Sequence, residues 1–247
     1  MSIHTVLFDA AETLFTLKRP VSEIYLETAV RHGFRPKPDA EETLKAAFRR
    51  AMADAPPPVF LVDDPKEIKR CERLWWFDVV HNVFYRVGMF ERFDDFFDDV
   101  FQQFDGPSLW VLYPDTIATL QTLRARGMEL GIVSNFDSRL FSVLRGLGLD
   151  GLFDTVTISS LARAAKPAPG IFRAAMEKHA VEPEDVVHIG DSLKEDMLGA
   201  KNAGVLGVWV DRSSGPAGAR ASVDMPVTPA HRITTLSELP AILDGLE

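Results

Sequence analysis

The sequence predicts an α/β fold, a doubly wound parallel sheet with an inserted α-helical unit, and three observations carry that expectation. Short apolar runs of strand length alternate with amphipathic segments of helix length, the texture of parallel βαβ units. The alternation is interrupted once, after the first strand, by a purely helical stretch over residues 18–108. The chain has 247 residues, 46% hydrophobic and 26% charged, enough for one large domain with an insert.

In chain order, Thr5 to Phe8 reads as a buried strand. Val21 to His32, Ala40 to Ala53 and Pro65 to Val87 have helical spacing, broken by the turn Pro56-Pro57-Pro58. Leu74, Phe77, Asp78 and His81 share one helix face that mixes apolar and polar groups. Phe90 to Phe104 is acidic and aromatic, an amphipathic helix expected to pack on the insert. The strand-helix rhythm then resumes. A helix from Pro114 to Arg126 is closed by Gly127, and Met128 to Ser134 is the next strand. Ser138 to Leu147 reads as a helix stopped at Gly146 and Gly148, and Phe153 to Ser159 as a strand. A helix at Gly170 to His179, a strand at Asp185 to Gly190, a helix at Leu193 to Ala203 and a strand at Gly207 to Val210 follow. Arg212 to Gly218 is a Ser/Gly/Pro-rich loop. The implied division is a core of residues 1–17 and 109–247 and an insert of residues 18–108.

In such sheets ligands sit beyond the carboxyl ends of the strands, where Asp9, Ser134 and Asp191 all fall. A carboxylate delivered there by a buried strand is costly unless it binds a cation or does chemistry. Asp191 follows Gly190, and Asp196 lies five residues on, placed to face the same cleft as Asp9. Two bare carboxylates 4 Å apart repel by roughly 4 kcal/mol at an effective dielectric of 20. Three converging carboxylates therefore ask for a hard cation, and Mg²⁺ suits them. Asp191 and Asp196 also have the simpler reading of helix caps. Ser134 and Asn135 offer a hydroxyl and an amide for phosphoryl oxygens, although Asn135 or Asp137 also suits the cap of the helix that follows. Lys166 precedes Pro167, which keeps its backbone extended, and its cation can neutralise Asp9 and a transferring group.

The totals exclude several classes. The net charge of −9 and the lack of a basic patch argue against nucleic acid as a partner. No apolar run approaches the ~20 residues of a membrane span, and no signal-peptide pattern is visible. Cys71 is the single cysteine, which suits a reducing cytoplasm. The six histidines show no metal-ligand spacing, and His188 reads as a strand residue.

Taken in order, Phe8-Asp9-x-x-x-Thr13-Leu14, Val133-Ser134-Asn135, Lys166-Pro167 and Gly190-Asp191-Ser192-x-x-x-Asp196 resemble the motifs of the haloacid dehalogenase superfamily of hydrolases. The resemblance covers nearly all of residues 3–212. The insert resembles that family's helical type 1 cap. Trp75 to Val80 and Ser134 to Asp137 are most similar to the rhythmically-expressed-gene-2-like subfamily, which includes haloacid dehalogenase-like hydrolase domain-containing proteins. The resemblance implies a Mg²⁺-dependent phosphatase acting on a small phosphorylated molecule. Asp9 would form an aspartyl-phosphate. Asp9, Asp191 and the backbone carbonyl of Ala11 would hold the metal, with Asp196 supporting it. Ser134 would bind phosphoryl oxygens, Asn135 would help place the substrate, and Lys166 would balance charge.

Ala11 departs from the pattern, because phosphatases of the family usually have a second Asp there as general acid and base, a contribution of typically 10²–10⁴-fold. Glu12, next in line, is a candidate substitute whose side chain should leave the turn in another direction. Phosphonoacetaldehyde hydrolase, a relative with alanine at this place, adds a cap lysine; Lys18, Lys37, Lys45, Lys66 and Lys69 are the candidates here. Two other readings stand beside the phosphatase: a phosphate- or partner-binding protein without turnover, and a metal-independent 2-haloacid dehalogenase. Against the last, such relatives show Tyr at position 11 and lack the Gly-Asp pair.

Overall fold

A computed structural model describes residues 3–212 and 227–246. In chain order the elements are β1 (Thr5–Phe8), β2 (Phe15–Leu17), α1 (Val21–Arg31), α2 (Ala40–Asp54), α3 (Pro65–Val87), α4 (Phe93–Gln103), β3 (Trp110–Leu112), α5 (Thr116–Ala125) and β4 (Glu129–Ser134). Then come α6 (Arg139–Gly146), β5 (Thr155–Ile158), α7 (Ser159–Ala162), α8 (Pro169–His179), β6 (Val186–Gly190), α9 (Leu198–Ala203), β7 (Leu206–Val210), β8 (His231–Ile233) and α10 (Leu239–Asp244).

Six strands form one parallel sheet in the order β5-β4-β1-β6-β7-β8. Its two faces follow from the twofold alternation of strand side chains. Val6 and Phe8 enter a core with Leu120 and Leu123 of α5, Leu140 of α6 and Leu239 of α10. Leu7 points the other way, into a core with Ile171 and Phe172 of α8 and Ala200 of α9. Each such side chain contributes about 1.5–3 kcal/mol when fully buried. From β1 the chain builds outward to β4 and β5, then crosses to β6, β7 and β8 on the other side. β1 therefore stands where the connections reverse direction, and the crevice opens at the carboxyl ends of β4, β1 and β6.

Between β2 and β3 the helices α1 to α4 build a separate apolar cluster around Ile24, Val80, Val83, Phe84, Phe96 and Phe97. α3 starts on Pro65, with the Asp64 carboxylate accepting from the Lys66 amide at 2.9 Å. The Trp75 indole donates to the carbonyl of Pro56 at 2.8 Å, tying α3 to the proline turn. β2 and β3 pair antiparallel, Phe15 with Leu112 and Leu17 with Trp110. The Lys18 amide donates to the Leu109 carbonyl at 2.8 Å, so the chain leaves for the helices and returns at one place.

Three features differ from the sequence expectation. The β2–β3 ribbon was not expected, because three-residue strands carry too little periodicity to read. β8 and α10 likewise extend the fold beyond β7. The segment expected as one helix over Leu193–Ala203 is a π-helical turn, Leu193–Met197, followed by α9. Of the Arg212–Gly218 loop, residues 213–218 lie outside the described residues. Arg212 itself donates to both oxygens of Asp115, at 2.8 and 3.2 Å, and to the Thr13 carbonyl at 2.9 Å. No helix among the described residues is long and apolar enough to cross a membrane.

Candidate active site

Asp9 follows the last residue of β1, and its amide donates to the Ile189 carbonyl of β6 at 2.8 Å. Ser134 ends β4 on one side of it, and Asp191 follows β6 on the other. Parallel register makes these three positions neighbours: Phe8 pairs with both Ile132 and Ile189.

Lys166 is the centre of the cluster. Its buried ammonium donates to Asp9 Oδ1 and to Asp196 Oδ1, both at 2.6 Å. Burial alone would disfavour its charge, but the Asp196 and Asp9 carboxylates beside it raise the ammonium above its ordinary range. Burial is also the largest influence on Asp9 and pushes its carboxyl above the usual range, against the pull of Lys166 and a hydrogen bond from Ser134. Asp196 is equally buried, yet Lys166 and His188 hold it well below the ordinary carboxylate range.

The π-helical turn is what brings Asp196 there. The Met197 amide donates to the Ser192 carbonyl at 3.1 Å, widening the turn, and the Ser192 hydroxyl accepts from the Glu195 amide at 3.1 Å. Asp196 then folds back, and its Oδ2 accepts from the Ser192 amide at 2.9 Å. A Cβ on Gly190 would lie 2.1 Å from Asp196 Cγ, so only glycine leaves room for that carboxylate. Asp196 Oδ1 also accepts from His188 Nε2 at 2.9 Å. His188 is thus a strand residue and also a partner of the cluster. The readable signal was its alternation with Gly190: two residues apart on a strand, they share the face onto which Asp196 folds.

Asn135, expected to help place the substrate, bonds the backbone of Lys166. Its amide donates to the Lys166 carbonyl at 3.0 Å and its oxygen accepts from the Lys166 amide at 2.8 Å. The side chain holds the Lys166 backbone on both sides. Asp137, not Asn135, caps the following helix by accepting from the Arg139 amide at 3.0 Å. Glu195, not singled out from the sequence, sits beside the cluster; burial raises its carboxyl, and the charges of Lys166, Asp196 and Asp9 all act on it.

Ala11 is half-buried in the loop after β1, and the structure sets no second carboxylate in its place. Glu12 adopts a left-handed backbone with φ of 63°. Its oxygens accept from the hydroxyl of Thr16, in β2, at 2.8 Å and from that of Tyr113, just after β3, at 3.2 Å. Burial, and then the Glu12 charge, push the Tyr113 hydroxyl up to about 12. Of the lysines in the helical unit, Lys18 donates to the Ser108 carbonyl at 2.7 Å, and Lys37, Lys45, Lys66 and Lys69 are exposed.

Asp9, Asp191 and Asp196 each bring one oxygen within 4.8 Å of the others, a donor set that fits a hard cation. Asp196 has the least left to offer, because Oδ1 already accepts from Lys166 and His188 and Oδ2 from the Ser192 amide.

A family model described as haloacid dehalogenase-like hydrolase matches residues 3–204. The chain belongs to the haloacid dehalogenase-like hydrolases. Haloacid dehalogenase-like hydrolase domain-containing protein 3 of Danio rerio is 33% identical over 98% of this chain and 96% of its own length. The phosphoserine phosphatase of Thermus thermophilus is 39% identical over 47% of each chain. Among solved structures, a HAD phosphatase from Thermococcus onnurineus shares 28% identity and superposes with a TM-score of 0.66, over 98% of this chain and 99% of its own. A hydrolase of this family, with phosphatases among its relatives, is thus the frame in which the Asp9 cluster is to be read.

Proposed function

We propose that this hydrolase is a Mg²⁺-dependent phosphatase for a small phosphorylated molecule, acting through an aspartyl-phosphate on Asp9. The observation that carries the reading is the Lys166 ammonium, 2.6 Å from both Asp9 and Asp196, at the strand ends where Ser134 and Asp191 flank the nucleophile. Asp9 attacks phosphorus with one carboxylate oxygen, the ester oxygen leaves with the bond electrons, and water then hydrolyses the acyl-phosphate. Lys166 holds Asp9 in place and balances the equatorial oxygens, and Ser134 binds one of them. Asp9, Asp191 and the Ala11 carbonyl would hold Mg²⁺, with Asp196 in support, and the ion would add positive charge against the phosphoryl oxygens. Residues 18–108 act as a cap that closes over the crevice and selects the substrate. A cytoplasmic setting accords with the lone Cys71.

The test is hydrolysis of p-nitrophenyl phosphate with Mg²⁺ and with excess EDTA. Turnover is expected only with metal. Asp9→Asn should lower it by more than about 10³-fold while the melting curve stays cooperative. Wild-type rates in Asp9→Asn would remove the nucleophile assignment.

One observation favours a second reading. Ala11 offers no proton to a leaving group, and Glu12 is tied to Thr16 and Tyr113. A phosphate-binding protein without turnover would retain Mg²⁺ binding, with no hydrolysis across a phosphoester panel.

A further inference from the structure

We infer that Glu72 and Trp76, on α3 of the helical unit, are positioning residues for the loop that carries Ser134 and Asn135. The groups around Asp9 are then held in full only while the helical unit is seated on the core. The inference rests on the roles of Asp9 and Lys166 proposed above.

The start of α6 lacks a full set of local partners for its free amides. Part of that need is met from the other side of the crevice. Glu72 is buried, and one of its oxygens accepts from the Ser138 amide at 3.0 Å and the Ser138 hydroxyl at 2.8 Å. A carboxylate there also meets the positive end of the α6 dipole. Trp76 lies one turn further along α3, on the same face, and its indole donates to Asp137 Oδ2 at 2.5 Å. Two consecutive core residues are thus gripped by one helix face.

Asp137 is itself buried and accepts from Arg139 through Nη2 at 2.6 Å and Nε at 2.9 Å. The Arg139 guanidinium lies over the rings of Phe101 at 4.2 Å and Trp76 at 5.1 Å, so the junction reaches α4 as well. The two segments whose likeness to one subfamily stood out, Trp75–Val80 and Ser134–Asp137, therefore meet each other in space.

Residues 134–138 are bound at both ends. At one end Asn135, next to Ser134, brackets the Lys166 backbone. At the other, Asp137 and Ser138 bond the helical unit. If the unit lifts, the Ser138 amide and a buried carboxylate lose their partners, which favours local opening of the loop. Seating the unit restores them, which couples closure to the placement of Ser134 and Lys166.

Residue-resolved amide hydrogen exchange tests this without requiring turnover. The Ser138 amide reports the Glu72 bond, and the Lys166 amide reports the Asn135 bond. In Glu72→Ala both should exchange faster by about 10-fold or more, the scale of one lost charge-assisted hydrogen bond, with the β4 amides before Ser134 unchanged. Glu72→Gln keeps an acceptor oxygen and should restore both. If Ser138 quickens while Lys166 keeps its wild-type rate, the coupling is wrong. If Glu72→Gln behaves as Glu72→Ala does, the positioning role is wrong. Should Glu72→Ala not fold, Trp76→Phe, which keeps the ring and removes the donor, carries the same comparison. An inactive wild type with coupled exchange would overturn the phosphatase and leave this inference standing. An active one with uncoupled exchange would do the reverse.

Discussion

The two sides of the crevice are held together differently. Around Asp9 the contacts are directional: Lys166 donates to two carboxylates at 2.6 Å, and Asp196 accepts from three donors through two oxygens. In the interior of the helical unit the contacts are aromatic and apolar, with Phe84 meeting Phe34, Phe90, Phe93 and Phe96 at 5.7, 5.6, 5.8 and 4.8 Å. Directional contacts among buried charges fail when one partner is lost, because the other remains unpaired in a low dielectric. Edge-to-face aromatic packing answers mainly to volume and tolerates substitutions that keep it. The Asp9 cluster should therefore be chemically exacting, and the aromatic interior of the helical unit permissive.

The largest effect that would break or sharpen this contrast is expected at Lys166. Lys166→Met leaves Asp9 and Asp196 buried with no cation between them. Stability should fall by about 3–5 kcal/mol, and hydrolysis of p-nitrophenyl phosphate by more than about 10³-fold. Denaturant unfolding beside steady-state assays would show it, and a variant as stable as wild type would break the contrast.

Next comes Phe96, fully buried in the helical cluster. Phe96→Ala should cost about 3–5 kcal/mol and Phe96→Leu under about 1.5 kcal/mol. Folded Phe96→Leu should retain its rate within a few fold; loss of turnover with an unchanged melting curve would show that the helical unit is not permissive.

A smaller change is expected at Ala11. Ala11→Asp should speed hydrolysis of alkyl phosphates relative to p-nitrophenyl phosphate by about 10-fold, out of the 10²–10⁴ an acid can supply. Nitrophenolate leaves unprotonated, so equal effects on both esters would show that proton transfer is not what the site lacks.

The smallest effect is a pH dependence at Asp115, half-buried beyond the crevice. Burial would raise it, but hydrogen bonds from Arg212, Thr235 and the Leu236 amide hold it below its ordinary value of 3.8. A lowered folded value means that its stabilisation is complete above 3.8 and is lost as pH falls through the folded value. Asp115→Asn should thus melt lower than wild type at neutral pH, and the gap should close only below pH 3.8. A gap constant into strong acid would assign the loss to packing.

The sequence by itself determined the strands and which of their ends carry chemistry. Thr5–Phe8, the β4 segment and the β6 segment are apolar runs ended by Asp9, Ser134 and Gly190-Asp191, and local pattern suffices to see a strand stop. It also determined the helices of residues 18–108, since a 3.6-residue period over ten or more residues is a strong signal. Only the tertiary structure decided the pairings. Asp196 reaches Lys166 because a π-helical turn folds it over Gly190, and that widening has no local signature. Asn135 grips the Lys166 backbone across 31 residues, and Glu72 caps α6 across 66. His188 looked like any buried strand residue until its partner was in place. Hydrogen bonds between groups so far apart in the chain depend on which elements pack together, and the burial of apolar faces settles that packing without regard to the polar groups it brings within reach.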